Sequence, residues 1–265
     1  MAVTVEVKSH DPTVKEQREA LACSVRDEFA TDLPDLKLLT FFDDCDWAEL
    51  KWGLGKENRG FYTPIDKNTF RGYANLPQGL AEKVYDTNFW VPNGKRSFDH
   101  LIYLHGATCS YKVGLVMTFA HELQHFVQYG SKRKLWAASK LIRELSCQFP
   151  KIQEKEHLNW PDIPHEREAR IVAKRVGVNL LGAEEVQRYI AGRICENVSI
   201  EDVEDWRFSQ GVDPSDRYDL SNGIRGIFQR LKPYRNELEQ VLQQMNSKFP
   251  GDYGDVDLST HFGAP

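Results

Sequence analysis

A chain of 265 residues, 41% hydrophobic and 28% charged, carries enough apolar material for one large core or for a domain with a helical extension. Its net charge of −5 argues against bulk nucleic-acid binding, and no apolar run reaches the length of a membrane span. The opening MAVTVEVKSHD lacks the basic start and apolar centre of a secretory leader, so a cytoplasmic location is expected.

Val3, Val5 and Val7 alternate with polar residues and predict a first strand. After Pro12, Val14, Leu21, Val25 and Phe29 recur at helical spacing among charges, which predicts an amphipathic helix over 13–29 lying on a sheet. LKLLTFF, 36–42, reads as a second strand that ends in the acidic turn Asp43, Asp44, Asp46. That turn lacks the spacing and glycine of a calcium loop. From Trp47 to Asn93, aromatics alternate with Gly and Pro, as in hairpins and long loops. FDHLIYL, 98–104, alternates again and predicts a strand ending at His105-Gly106.

The stretch VGLVMTFAHELQHFVQYG, 113–130, is apolar almost all round when read as a helix, so it belongs inside the protein. Burying His121, Glu122 and His125 there costs several kcal/mol, on the order of the penalty for unpaired polar groups, unless something satisfies them. Positions four apart share a helical face, so both imidazoles reach one tetrahedral ion. Glu122 lies about a third of a turn away, beside the position a water would take. HELQH is thus the HExxH zincin arrangement, with His121 and His125 as zinc ligands and Glu122 as the catalytic base. The longer motif with Gly and His further on is absent, since Gln128 and Ser131 stand at those places.

The five cysteines are odd in number and form no CxxC pair, which suits core thiols in a reducing compartment. Cys109 precedes the HELQH helix and is the one candidate for binding the metal in a latent form. Ser131-Lys132-Arg133-Lys134 reads as a charged helix end, Trp136–Phe149 as an amphipathic helix, and Pro150–Pro164 as a loop. A further helix opens at Pro164 and runs toward Leu181. At its start His165, Glu166 and Glu168 can each supply the third ligand that a catalytic zinc takes.

HELQH followed by a helix beginning EREA resembles the gluzincin superfamily of metallopeptidases, and within it is similar to the ImmA/IrrE-like proteins. The resemblance covers the two helices 113–130 and about 166–181. It implies an α+β, zincin-like fold: a small N-terminal mixed sheet with helices, the HExxH helix, then a mainly helical C-terminal part. It maps the third zinc ligand onto Glu166 and ranks Glu168 second. It also places an antiparallel peptide along the strand before the HExxH helix, making 100–106, with His105 and Gly106, the candidate substrate edge. An interior strand is the other reading of that segment. Relatives carry Asp or Asn four residues after the ligand to orient a metal-bound histidine. This chain has Arg170, which cannot accept a hydrogen bond, so another residue must do so.

The implied activity is zinc-dependent hydrolysis of protein or peptide substrates. Tyr189, Tyr218, His165 and Arg170 are available to steady the oxyanion, and the two tyrosines are the candidate substrate contacts. A catalytically silent zinc-binding regulatory or peptide-binding protein is the alternative, with a purely structural zinc site behind it. Beyond Gly182, helices are predicted over 183–196 and 223–246, the second capped by Ser221 or Asn222 and bent at Pro233. The expected organisation is an α+β part over 1–130, a helical part over 131–249 and a flexible or draped tail over 250–265.

Overall fold

The computed structural model describes residues 3–8, 11–29, 31–36, 38–43, 60–64, 90–91, 95–96, 100–196, 200–249, 251–254 and 256–262. Asp44, Asp46, Cys45 and most of the aromatic stretch 47–93 lie outside them.

The N-terminal strand β1 (Val3–Lys8) leads into α1 (Pro12–Glu28) and back to β2 (Leu38–Asp43), which pairs parallel with β1, Val3 opposite Leu38. Asp11 starts α1 by accepting the Thr13 N–H at 2.8 Å, with Pro12 preset for the first turn. β3 (Gly60–Pro64) is antiparallel to β6 (His100–Leu104), and β6 is parallel to β2, so the sheet is mixed with order β1-β2-β6-β3. A separate two-residue ladder joins β4 (Trp90–Val91) to β5 (Lys95–Arg96). β6 is hydrogen-bonded on both sides, so the interior reading of this strand holds and it cannot take a peptide by strand addition.

A single turn, α2 (Gly106–Cys109), precedes α3 (Lys112–Ser131), whose residues are buried from Val113 to Gln128 with His121 alone partly open. Then follow α4 (Arg133–Gln148), α5 (Pro150–Glu156), α6 (Pro164–Leu181) and α7 (Ala183–Cys195). The chain continues through α8 (Ile200–Gly211), α9 (Leu220–Arg230), α10 (Arg235–Lys248) and α11 (Leu258–Phe262). The protein is mainly helical with a small sheet at its N-terminal end, an α+β architecture.

Several segments differ from expectation for identifiable reasons. Pro150 occupies the first turn of a helix, where its missing N–H costs nothing, so half of the expected loop is α5. The helix expected over 223–246 is two, separated by a 3-10 turn at Lys232–Tyr234 around Pro233, and its cap is Asp219, which accepts from the Asn222 N–H at 3.0 Å. In the described part of the tail Tyr253, Val256, Leu258 and Phe262 are buried against Phe228 and its neighbours, the packing of a draped segment.

The two cores do not divide at residue 130. The first joins Leu38, Ile102 and Leu104 of the sheet to α3, but also to Val172 and Val176 of α6, Val186 and Ile190 of α7, and Trp206 of α8. The second holds α4, α9, α10 and the tail. α6 and α7 were expected in the C-terminal part, yet their apolar faces complete the burial of α3, which has no exposed face to leave uncovered. Among the described residues no helix is long and apolar enough to cross a membrane.

Candidate metal centre

His121 and His125 stand one turn apart on α3, their rings nearly perpendicular at 88° and their Nε2 atoms 3.1 Å apart. Nitrogens facing each other at this distance must share a proton or face a cation. α6 closes on them. At Gly177 an added Cβ would sit 3.1 Å from Met117 Cγ, so the missing side chain lets α6 lie close to α3 with Met117 undisturbed. The approach brings in Glu166 from the first turn of α6, the positive end of the helix dipole, which favours a carboxylate.

Glu166 Oε2 lies 3.2 Å from His121 Nε2 and 3.6 Å from His125 Nε2. Zinc bonds of roughly 2.0–2.1 Å in a tetrahedron set neighbouring donors about 3.3 Å apart. The three separations bracket that value, and the three residues form the one group of possible metal ligands among the described residues. The donor set thus fits a tetrahedral divalent cation.

A second layer of side chains holds two of the three candidate ligands, His125 and Glu166. Gln128, one turn beyond His125 and fully buried, places Oε1 2.8 Å from His125 Nδ1, and the carboxamide accepts what Arg170 cannot. The Gln128 nitrogen donates to the His165 carbonyl at 2.9 Å and to Glu168 Oε2 at 2.8 Å. Lys132 donates to the other Glu168 oxygen at 3.1 Å. Glu168 therefore braces the histidine through Gln128 and is not among the clustered ligands. Ser139 of α4 accepts the His165 backbone N–H at 3.0 Å, and its Oγ lies 2.7 Å from His165 Nδ1. His165 Nε2 lies 3.3 Å from Glu166 Oε1 without hydrogen-bond alignment. Arg170 donates to Glu166 Oε2 at 3.0 Å and to Asp205 of α8.

Burial dominates the electrostatics. It lowers the His121 pKa and drives that of His165 down to about 3, keeping His165 neutral. At His125 burial is outweighed by the Glu166 carboxylate, which raises the pKa. Glu166 itself, though buried, is held well below the usual carboxylate range by the charge of His125 and by hydrogen bonding to His121 and His125. An anionic oxygen facing two imidazoles is what cation binding requires.

The centre opens into a cleft of about 620 Å³ that Glu122 lines beside the ligands. Gly60, Phe61 and Tyr62 of β3 border it, so the sheet residues beside the chemistry come from β3 and not from β6. His105 is buried, and neither it nor Gly106, Tyr189 or Tyr218 is among the residues lining the cleft. Tyr189 packs on Trp206 and over Gly114, while Tyr218 lies beneath Arg167. His100 meets the Tyr62 hydroxyl at 3.0 Å, away from the ligands. Cys109 is a core thiol, outside both ligand cluster and cleft. Of the donors considered for the oxyanion, His165 and Arg170 do line the cleft.

Sequence reasoning missed Gln128, Ser139 and Asp205. Gln128 was within reach, being a polar residue three beyond His125 on a mainly apolar helix. Compared with known proteins, the chain matches no family model, no curated sequence and no solved structure.

Proposed function

We propose that this protein is a zinc-dependent peptidase of gluzincin type, with a zincin-like active site, that hydrolyses peptide bonds in few substrates. The observation that carries the reading is the convergence of His121, His125 and Glu166 at tetrahedral spacing in a cleft that Glu122 also lines. A structural metal site has no use for that fourth group.

When bound, zinc supplies Lewis acidity, lowering the pKa of water to about 7 and polarising a carbonyl. Glu122 takes the proton of the attacking water and returns it to the leaving amine. Gln128 holds the His125 ring through Nδ1, so that Nε2 is the nitrogen that would be free to hold the cation. Among the N–H donors on the cleft wall, His165 and Arg170 stand beside Glu166, and to these two we assign the negative charge that develops on the carbonyl oxygen.

A zinc-binding protein without catalysis is the second reading. It is favoured by one contact: the Arg170 guanidinium occupies Glu166 Oε2, the same oxygen that faces both imidazoles. Elemental analysis combined with cleavage of a quenched peptide library separates the two. The peptidase reading expects about one zinc per chain in wild type and in Glu122→Gln, with hydrolysis lowered at least about 100-fold in the variant. Full zinc with no wild-type hydrolysis leaves the second reading.

A further inference from the structure

Lys140 and Arg143 face the cleft from successive turns of α4. Ser139, beside Lys140, clasps His165 and pins α4 to the first turn of α6. Lys140 accordingly stands within electrostatic reach of Glu122, His165 and Glu166. Arg143 lies over Trp160, its guanidinium carbon 4.0 Å from the ring centroid, and Trp160 is 42% exposed at the outer lip. Stacking uses the face of a guanidinium and leaves its edge, where the N–H groups are, for a ligand.

Long cationic side chains commonly lay their stems over aromatic rings and keep their heads in water. Three features resist that account here. Arg143 Nε is buried with no hydrogen-bond partner among the described residues, a desolvated donor that costs free energy. The Lys140 pKa is drawn down to about 8 by burial and then by Arg143, so two like charges are held together at a loss. Among the described residues neither side chain is hydrogen-bonded or ion-paired with a carboxylate that would offset it.

We propose that Lys140 and Arg143 form a subsite for a carboxylate of the peptide substrate, beside the metal centre and between Trp136 and Trp160. A carboxylate there accepts from the guanidinium edge and from the ammonium at once, and relieves their repulsion. The subsite rests on the peptidase reading and narrows it to substrates with a negative charge near the bond that is cut. The carboxylate is either the peptide C-terminus, which makes the enzyme a trimmer of chain ends, or an Asp or Glu side chain, which makes it an endopeptidase with acidic preference.

The test reads binding and not turnover, so it stands apart from the outcome for catalysis. Zinc-loaded Glu122→Gln protein is titrated calorimetrically with N-acetylated pentaalanine as free acid and as amide, and with the amides carrying glutamate or glutamine at the central position. One acidic form is expected to bind about 10-fold or more tightly than its neutral counterpart, the yield of one charge-assisted contact. Which pair differs identifies the source of the carboxylate. Adding Lys140→Met or Arg143→Gln should bring the paired forms within about 3-fold of each other, with zinc content and thermal melting confirming a folded centre. Equal affinities for acid and neutral forms in the parent, no binding of any form at millimolar concentration, or a preference that survives both substitutions overturns the subsite. None of those results bears on whether the wild-type protein cleaves other peptides.

Discussion

Gln128 Oε1 stands 2.8 Å from His125 Nδ1, and the same carboxamide reaches Glu168 with its nitrogen at 2.8 Å. One side chain thus couples the orientation of an imidazole on α3 to a carboxylate on α6. Gln128→Leu removes the acceptor without adding charge. Zinc affinity, measured by competition with a chromophoric chelator, should fall about 10- to 100-fold, the usual cost of losing the hydrogen-bond partner of a histidine that ligates a metal. Unchanged affinity would show that the ring is held by packing alone.

Glu166 and Glu168 are two residues apart on one helix and look interchangeable in sequence, but their surroundings assign them different work. Glu166→Gln should cost zinc affinity more than any second-layer change. Glu168→Gln should cost no more than Gln128→Leu, and the double variant Gln128→Leu/Glu168→Gln should fall well short of additive, because both act through one path. The reverse ranking of the two glutamates would make Glu168 the ligand.

The HELQH helix was legible because spacing of four on an apolar segment has few other uses, and the α1 and β1 patterns follow ordinary periodicity. Glu166 was legible only as one of several acidic and imidazole groups at the start of α6. What stayed hidden comes from contacts between distant elements. Asp205 meets Arg170 only because α8 folds back over α6, and Ser139 meets His165 only because α4 does. β6 became interior through pairing with β3, a short strand set in an aromatic, glycine-rich stretch whose alternation is too brief to stand out. The tail looked loose from its Asp and Gly content, although Tyr253, Val256, Leu258 and Phe262 recur often enough to cover one face of the second core.

Phe262 is buried and meets the Phe228 ring edge-on, with centroids 5.6 Å apart. Truncating a buried phenylalanine costs about 3–5 kcal/mol in a well-packed core, and somewhat less where a terminal segment can shift to fill the space. Phe262→Ala should lower the urea-unfolding free energy by about 2–4 kcal/mol and change zinc affinity less than Gln128→Leu does, since the three candidate ligands stand on α3 and α6 and not on α9, against which Phe262 packs. A change under about 0.5 kcal/mol would mean that the tail contributes no packing.

Lys140 ties the subsite to stability through its own proton. Its folded-state pKa lies near 8, below the ordinary 10.5, because burial and Arg143 oppose the charge more than Glu144 of α4, Glu122 of α3 and Glu166 of α6 support it. Below pH 8 the side chain is charged in both folded and unfolded chains, so the full penalty of burying it is present. Between pH 8 and 10.5 the folded protein releases the proton while the unfolded chain keeps it, and stability rises with pH by up to about 1.4 kcal/mol per unit from this group. Water reaching a half-buried side chain reduces the total to about 1–3 kcal/mol. Lys140→Met should therefore be more stable than wild type by that margin at pH 7, with the difference shrinking as pH climbs to 10. Urea unfolding of chelator-treated protein at pH 7, 8, 9 and 10 measures it, and groups common to both proteins cancel in the difference. Parallel curves, or a less stable variant at pH 7, would mean that Lys140 is held there without strain and needs no anion.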